Sequence, residues 1–289
     1  MLSWEYVAQV VVSGLLAGGV YALLAMGLTL IFGVMRVINV AHGEFVIIGA
    51  YVTYWAFALA GLSPLVSLVL SIPILFVFGM VLQRVVIKRV IGAPQLSSLL
   101  VAFGVSIMIV NVALYVWTGE YRSIPYLEGS LRVGGLAFSR ARVVGVVMAL
   151  LIAAAFFAFL KWGRLGKAIR ATAQSREVAA ACGINVGRVY TVTFGLGAAL
   201  AGAAGTLVSF MFSFYPEAGL VYTFKSFAVV ILGGMGSYVG ALAGGLILGL
   251  AEGLSQLFLS SKVGDGVAYV LLVLILLLRP QGLFGGPGE

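Results

Sequence analysis

The sequence predicts an all-α, polytopic membrane protein of eight or nine transmembrane segments, some of them broken, with one long cytoplasmic loop. Three observations carry this. The composition is 62% hydrophobic and only 9% charged over 289 residues, whereas a soluble domain carries about 25% charged residues. A soluble chain of this length needs polar surface that these residues do not supply, so a bilayer must act as the solvent. The apolar residues fall in runs close to the roughly 20 residues of a span, which leaves one transmembrane domain over 1–289 and no separate soluble domain. The basic residues, which give a net charge of +8, sit in short loops between those runs. That is the positive-inside pattern, not a nucleic-acid signal.

Taken in order, residues 6–35 form a first apolar run of 30 residues. A straight helix of that length is about 45 Å, longer than the roughly 30 Å hydrocarbon core, and Gly27 and Gly33 suggest that it breaks. The stretch RVINVAHGEF then brings Arg36, Asn39, His42, Gly43 and Glu44 together before a second apolar run at 45–61. Span three covers 64–82 with a kink at Pro73, and Arg84, Lys88 and Arg89 make a basic loop. Span four is 95–117. A polar loop of mixed charge follows at 118–142, with Tyr and Trp suited to a membrane interface. Span five is 143–160 and span six 189–212. The stretch 222–235 is too short to cross as a regular helix unless it breaks within the membrane, and Gly233, Gly234 and Gly236 mark that break. Spans eight and nine are 237–259 and 267–278, separated by a turn at 260–266, and the tail from Arg279 is loop.

The stretch 161–188 is the longest polar interruption. It holds Lys161, Arg164, Lys167, Arg170, Arg176 and Arg188, opposed by Glu177 alone. Its spacing predicts two short helices. Over 163–172, Arg164, Lys167 and Arg170 fall on one face, while Leu165, Ile169 and Thr172 line another. Ser175 then N-caps a second helix with Glu177 in its first turn, and Gly183 provides the C-terminal cap. Such a pair docks on a soluble partner or lies on anionic lipid. Placing 84–89 and 161–188 in the cytoplasm puts the N-terminus outside and the C-terminus inside. The N-terminal MLSWEYVAQ lacks a positive n-region, so the first run is expected to remain in the mature protein. The lone Cys182 excludes a disulfide framework and a cysteine metal cluster, and His42 is the single histidine.

Ionisable groups at membrane depth are costly and default to a functional role. Asn39, His42 and Glu44 are the most polar cluster near a span; the alternative is that they only hold the break together. Glu252 faces the bundle interior or sits at its outer end, and Lys225 snorkels to the interface. Gly236, Gly240 and Gly244, like Gly245, Gly249 and Gly253, recur every four residues and allow close helix approach. The two broken features, around 36–45 and 233–236, echo each other as breaks do in the two halves of many transporters.

Four stretches carry a family resemblance: GRLGKAIRATAQSREVAAACGINVGRV (163–189), GLTLIFGVMRVINVAHGEFVIIGAY (27–51), FAVVILGGMGSYVGALAGGLILGLAEG (227–253) and RPQGLFG (279–285). Together they resemble the permease subunits of bacterial ABC importers of the branched-chain amino acid family, and the ending GINVGRV is also similar to sugar permeases of the wider superfamily. In the coupling segment Gly166, Arg170, Gln174, Ala179 and Gly183 match the family pattern. The resemblance implies an inner-membrane importer working by alternating access. Arg164, Gly166, Lys167, Arg170, Gln174, Glu177, Ala179 and Gly183 would then couple the chain to an ATPase. Asn39, His42, Glu44, Gly233, Gly234, Gly236 and Glu252 would line or gate the translocation path. The implied partners are a second homologous permease subunit, two ATP-binding subunits and a periplasmic substrate-binding protein. The chain has no G-x-x-x-x-G-K-[ST] run, so ATP and Mg belong to partner subunits and no cofactor is expected here. Branched-chain or other hydrophobic amino acids are the first expectation for cargo, with urea, short amides, sugars or nucleosides as alternatives. A different-class alternative is an ATP-independent channel or secondary carrier that uses His42 and Glu44.

Overall fold

The computed structural model describes residues 4–133, 135–258, 266–279 and 281–284. Among the described residues the chain is all-α except for one small hairpin and an isolated bridge between Arg122 and Phe214. Its elements are α1 (Trp4–Met35), α2 (His42–Ala60), α3 (Pro64–Val85), a 3-10 turn (Ile87–Val90), α4 (Gln95–Trp117), β1 (Ser130–Val133), β2 (Leu136–Ser139) and α5 (Arg140–Trp162). These are followed by α6 (Arg164–Gln174), α7 (Arg176–Ala181), α8 (Val186–Met211), a second 3-10 turn (Pro216–Ala218), α9 (Gly219–Gly233), α10 (Tyr238–Phe258) and α11 (Gly266–Leu278). Among the described residues seven helices are long and apolar enough to cross a bilayer: α1, α2, α3, α4, α5, α8 and α10. At 15 and 13 residues, α9 and α11 are about 22 and 20 Å long and fall short of a full hydrocarbon core.

Helices α1 and α8 form the centre. Of the span window in α8, 94% is buried, against 22% in α4, so α8 is enclosed by protein while α4 turns its side chains outward. Enclosure of this kind depends on small residues, because apolar helices gain little from burying apolar surface when lipid is the alternative. Helices α1 and α10 run antiparallel with backbones in contact: a Cβ on Gly18 would lie 2.6 Å from the Gly245 carbonyl, and Gly14 faces Gly249 in the same way. The second ridge of α10 packs on α9, where Gly244 meets the Val229 carbonyl and Gly240 meets Gly233. Both ridges therefore serve packing within the subunit.

The break expected inside the first run is not there. Helix α1 continues through Gly27 and Gly33 to Met35, and the chain leaves it at Arg36, whose φ is 53°. Gly27 is a contact point, where a Cβ would lie 2.6 Å from the Gly197 carbonyl of α8 and 3.0 Å from the His42 ring. An interior glycine costs a helix about 1 kcal/mol relative to alanine, an amount that close packing offsets. The second break is where the sequence puts it. Helix α9 ends at Gly233, Gly234 and Gly236 have φ of 92° and 85°, and α10 begins at Tyr238. Pro73 lies inside α3 as expected.

The 118–142 loop contains the β1–β2 hairpin, in which Ser130 pairs with Ser139 and Val133 with Leu136. The Ala137 amide donates to Gln9 Oε1 at 2.8 Å, tying the hairpin to the start of α1. Since α5 joins the hairpin to α6, the hairpin and the polar helices α6 and α7 occupy opposite faces. The described part of the tail is loop, as expected, and it is tied down. The Leu283 amide donates to the Leu232 carbonyl at 2.8 Å, and Gly282, with φ 76°, sits against Gly234. The C-terminal segment thus clamps the α9–α10 break. Residues 259–265, which include most of the expected turn, and Pro280 and 285–289 lie outside the described residues.

Candidate functional site

On one face, the stretch 161–188 folds as two helices locked by three caps. Ser175 has extended backbone, and its Oγ accepts the Val178 amide at 3.3 Å to start α7. Gly183, at φ 80°, ends it. The Gly183 and Ile184 amides donate to the Ala180 and Ala179 carbonyls at 3.0 Å, the paired bonds of a Schellman stop. Two residues later Asn185 Oδ1 accepts the Arg188 amide at 2.9 Å and starts α8. No spare residue separates the end of α7 from the capping of α8, so α7 is held at a fixed angle to the core helix.

The same caps sort the sequence-predicted residues into two groups. Gly166 packs on the Phe159 and Leu160 backbone at the end of α5, where a side chain would not fit. Arg170 donates from its guanidinium to the Leu160 carbonyl, neutralising part of the negative end of α5. Ile169, Thr172 and Ala179 are buried beneath them. Gly166, Arg170, Ala179 and Gly183 therefore build the α5–α6–α7 corner. The Arg164, Lys167, Gln174 and Glu177 side chains are exposed and make no bond to the corner among the described residues, while Arg170 and Gly183 are exposed residues whose guanidinium and backbone are engaged in it. Leu165 does not join Ile169 and Thr172 on the buried face: it is 46% exposed, and Val178 on α7 is 63% exposed. Behind the segment, a cavity of about 530 Å³ separates α6 and α7 from the end of α1 and the start of α4, with Arg36, Gln95, Gln174 and Arg176 in its wall.

The second region lies inside the bundle, where α2 and α9 begin side by side. The Gly43 amide donates to Thr223 Oγ1 at 2.9 Å, and that hydroxyl donates to the Val40 carbonyl at 2.9 Å. Glu44, fully buried in the first turn of α2, accepts from Ser106 Oγ of α4 at 2.8 Å. Its carboxylate rests on Gly219, the first residue of α9. Two helix N-termini thus face one carboxylate, an arrangement the helix dipole favours. His42 points elsewhere, donating from Nε2 to the Leu24 carbonyl of α1 at 3.0 Å. Asn39 is buried, and its side-chain amide finds no partner among the described residues. Asn39, His42 and Glu44 are thus close in sequence but do not form one constellation.

Lys225 does not snorkel. It is buried on α9, with Nζ 3.1 Å from Glu252 Oε1 and 3.2 Å from Oε2 of α10, and it donates to the Tyr21 hydroxyl of α1 at 3.0 Å. Glu252 accordingly faces the interior. The sequence reading missed Tyr21, Ser106 and Thr223. The usable signal was one lone lysine and one lone glutamate in the two helices that flank the same glycine break. Among the described residues no three of His, Cys, Asp or Glu gather as a metal would need.

Tightly packed, glycine-rich helices around α1 and α8, a glycine break between α9 and α10 and a polar helix pair on one face define a multi-pass membrane protein. The family described as the branched-chain amino acid transport system permease component matches residues 10–276, and the chain belongs to that family. The high-affinity branched-chain amino acid transport system permease protein BraD of Pseudomonas aeruginosa is 33% identical, with 98% of this chain and 97% of BraD covered. LivH of Escherichia coli, which carries the same description, is 33% identical over 98% of this chain and 96% of its own length. The permease protein LivM of Salmonella typhimurium is 25% identical over 91% of this chain and 67% of LivM. No solved structure matches.

Proposed function

We propose that this chain is one membrane-embedded permease subunit of an ATP-driven importer in the bacterial inner membrane, moving branched-chain or other hydrophobic amino acids by alternating access. The observation that carries this is the capped α6–α7 unit. It is held to α5 by the Arg170 side chain on the Leu160 carbonyl and runs directly into the Asn185 cap of α8, and it presents Arg164, Leu165, Lys167, Glu177 and Val178 outward. A rigid handle with a mixed apolar and basic surface transmits a push from a docked subunit into two bundle helices. The chain has no phosphate-binding loop, so two partner subunits supply ATP and Mg chemistry. The likeness to both LivH and LivM supports pairing with a second, homologous permease, with a periplasmic binding protein delivering cargo from the hairpin side. The N-terminus then lies outside and Arg279 in the cytoplasm. The whole of 1–289 acts as one permease domain.

In this reading the broken region is the gate. Glu44 holds the start of α2 against α4 and α9, His42 ties it to α1, and the buried Asn39 amide stands beside them. Gly233, Gly234 and Gly236 let α9 end in the membrane, and Glu252 anchors α9 through Lys225. The test is uptake of labelled leucine into proteoliposomes holding this chain with its partner permease, the ATP-binding subunits and the binding protein. Uptake is expected to require ATP and both the binding protein and the ATP-binding subunits. Uptake of equal rate by the two permeases alone overturns the proposal.

A further inference from the structure

A second concavity on the α6–α7 face has a volume of about 660 Å³ and lies between the end of α3, the turn at Ile87–Val90 and the start of α8. Three cations line it, Arg84, Lys88 and Arg188, and no carboxylate is among the described residues of its wall. Its floor is fixed: Thr191 Oγ1 donates to Gln83 Oε1 at 2.7 Å, a buried bond that joins α8 to α3. Gly187 stands at the second position of α8, so no side chain there fills the cavity beside Arg188.

What the cavity adjoins decides the kind of anion. From its basic mouth the outer face of α3 runs away as an apolar stripe. Ile74, Val77, Val81 and Val85 are 47%, 52%, 54% and 53% exposed and follow helical spacing, with Arg84 and Lys88 at the stripe's end. A soluble anion has no use for the stripe. An acidic protein surface answers the three cations but does not reach along an apolar face inside the bilayer. An amphiphile with a phosphate head answers both. Basic pockets between membrane helices take anionic headgroups in this way.

We propose that this is a binding site for an anionic phospholipid, with its phosphate among Arg84, Lys88 and Arg188 and an acyl chain along the Ile74–Val85 face of α3. The proposal rests on the chain spanning a membrane and not on its cargo or its ATP coupling. The experiment uses the assembled complex, purified in mild detergent and exchanged against phosphatidylglycerol, phosphatidylcholine of the same acyl chains, or inorganic phosphate, with bound lipid counted by native mass spectrometry. Phosphatidylglycerol is expected to be retained over phosphatidylcholine, and excess inorganic phosphate is expected not to displace it. Arg84→Gln, Lys88→Gln and Arg188→Gln are each expected to weaken retention roughly fivefold, since each removes one surface cation's attraction. Arg132→Gln, which removes the same charge from the hairpin, leaves retention unchanged. Equal retention of the two lipids, displacement by inorganic phosphate, or an equal loss in Arg132→Gln overturns the proposal. So does normal lipid retention in the three variants with loss of the ATP-binding subunits, which would give the cations to a protein partner.

Discussion

Lys225 and Glu252 show why a single ionisable residue in a membrane helix is a poor guide to its own environment. Each alone invites an interfacial placement, because an isolated charge in an apolar interior costs several kcal/mol. Together, with the Tyr21 hydroxyl, they make a buried cluster that joins α9 to α10 and α1. Removing one partner strands the other. Lys225→Ala or Glu252→Ala is expected to cost about 3–5 kcal/mol, read as a large drop in melting temperature in detergent. The double variant Lys225→Met with Glu252→Leu leaves no buried charge and is expected to recover most of that loss. A double variant as unstable as the two single losses added together would show that the pair acts through more than its charges. Glu44 is a different case. Its carboxylate answers helix N-termini and Ser106 instead of a cation, which no count of charges along the chain reveals.

Helix contacts in this protein are set by where side chains are absent. Gly18 and Gly245 let α1 and α10 touch through backbone, and a side chain at Gly18 meets the Gly245 carbonyl and the Leu246 Cα. Gly18→Leu is expected to force the pair apart and abolish a monodisperse peak in size-exclusion chromatography. Gly104→Ala, on the open face of α4 with nothing within 4 Å, is expected to keep that peak and gain up to about 1 kcal/mol of helix propensity. If both variants behave alike, the backbone contact does not decide the fold. The same physics explains what the sequence disclosed and what it hid. Hydropathy placed α4 at 95–117, and the serine cap and glycine stop placed α7 at its observed ends, because these boundaries are local; α6, expected over 163–172, runs two residues further to Gln174. Gly27 and Gly33 misled, since a glycine that ends a helix and one that admits a neighbour look the same in one dimension. The hairpin within 118–142 stayed hidden because its four-residue strands pair in a loop of mixed charge with no clear alternation. The partners of Glu44 and Lys225 come from helices distant in sequence, so no spacing rule reaches them.

Across the whole molecule, the α6–α7 handle and the paired starts of α2 and α9 are connected through continuous elements. Arg170 ties α6 to the last turn of α5, the Ile184 amide closes α7 on the Ala179 carbonyl directly before Asn185 caps α8, and α8 packs along α2 and α3. At the far end of α9, Gly282 and Leu283 clamp the break to which α1 also comes close at Gly33. On the proposed coupling role, docking and transmission would depend on different residues of one short segment. Arg164 and Lys167 are exposed and available to a partner, while Arg170 is spent on a carbonyl of its own chain. Arg164→Glu with Lys167→Glu is expected to weaken capture of the ATP-binding subunits at least tenfold, since reversing two contacting cations leaves like charges opposed across the interface. Arg170→Glu is expected to leave capture within about twofold. It removes the bond to Leu160 and sets an anion against the negative end of α5, so the corner loosens and ATP hydrolysis proceeds with little uptake. The two measurements are pull-down of the ATP-binding subunits and the ratio of leucine transported to ATP hydrolysed in proteoliposomes. Loss of capture in Arg170→Glu, with a normal ratio for the complexes that remain, would place Arg170 on the docking surface and remove the corner from the route by which the push reaches the bundle.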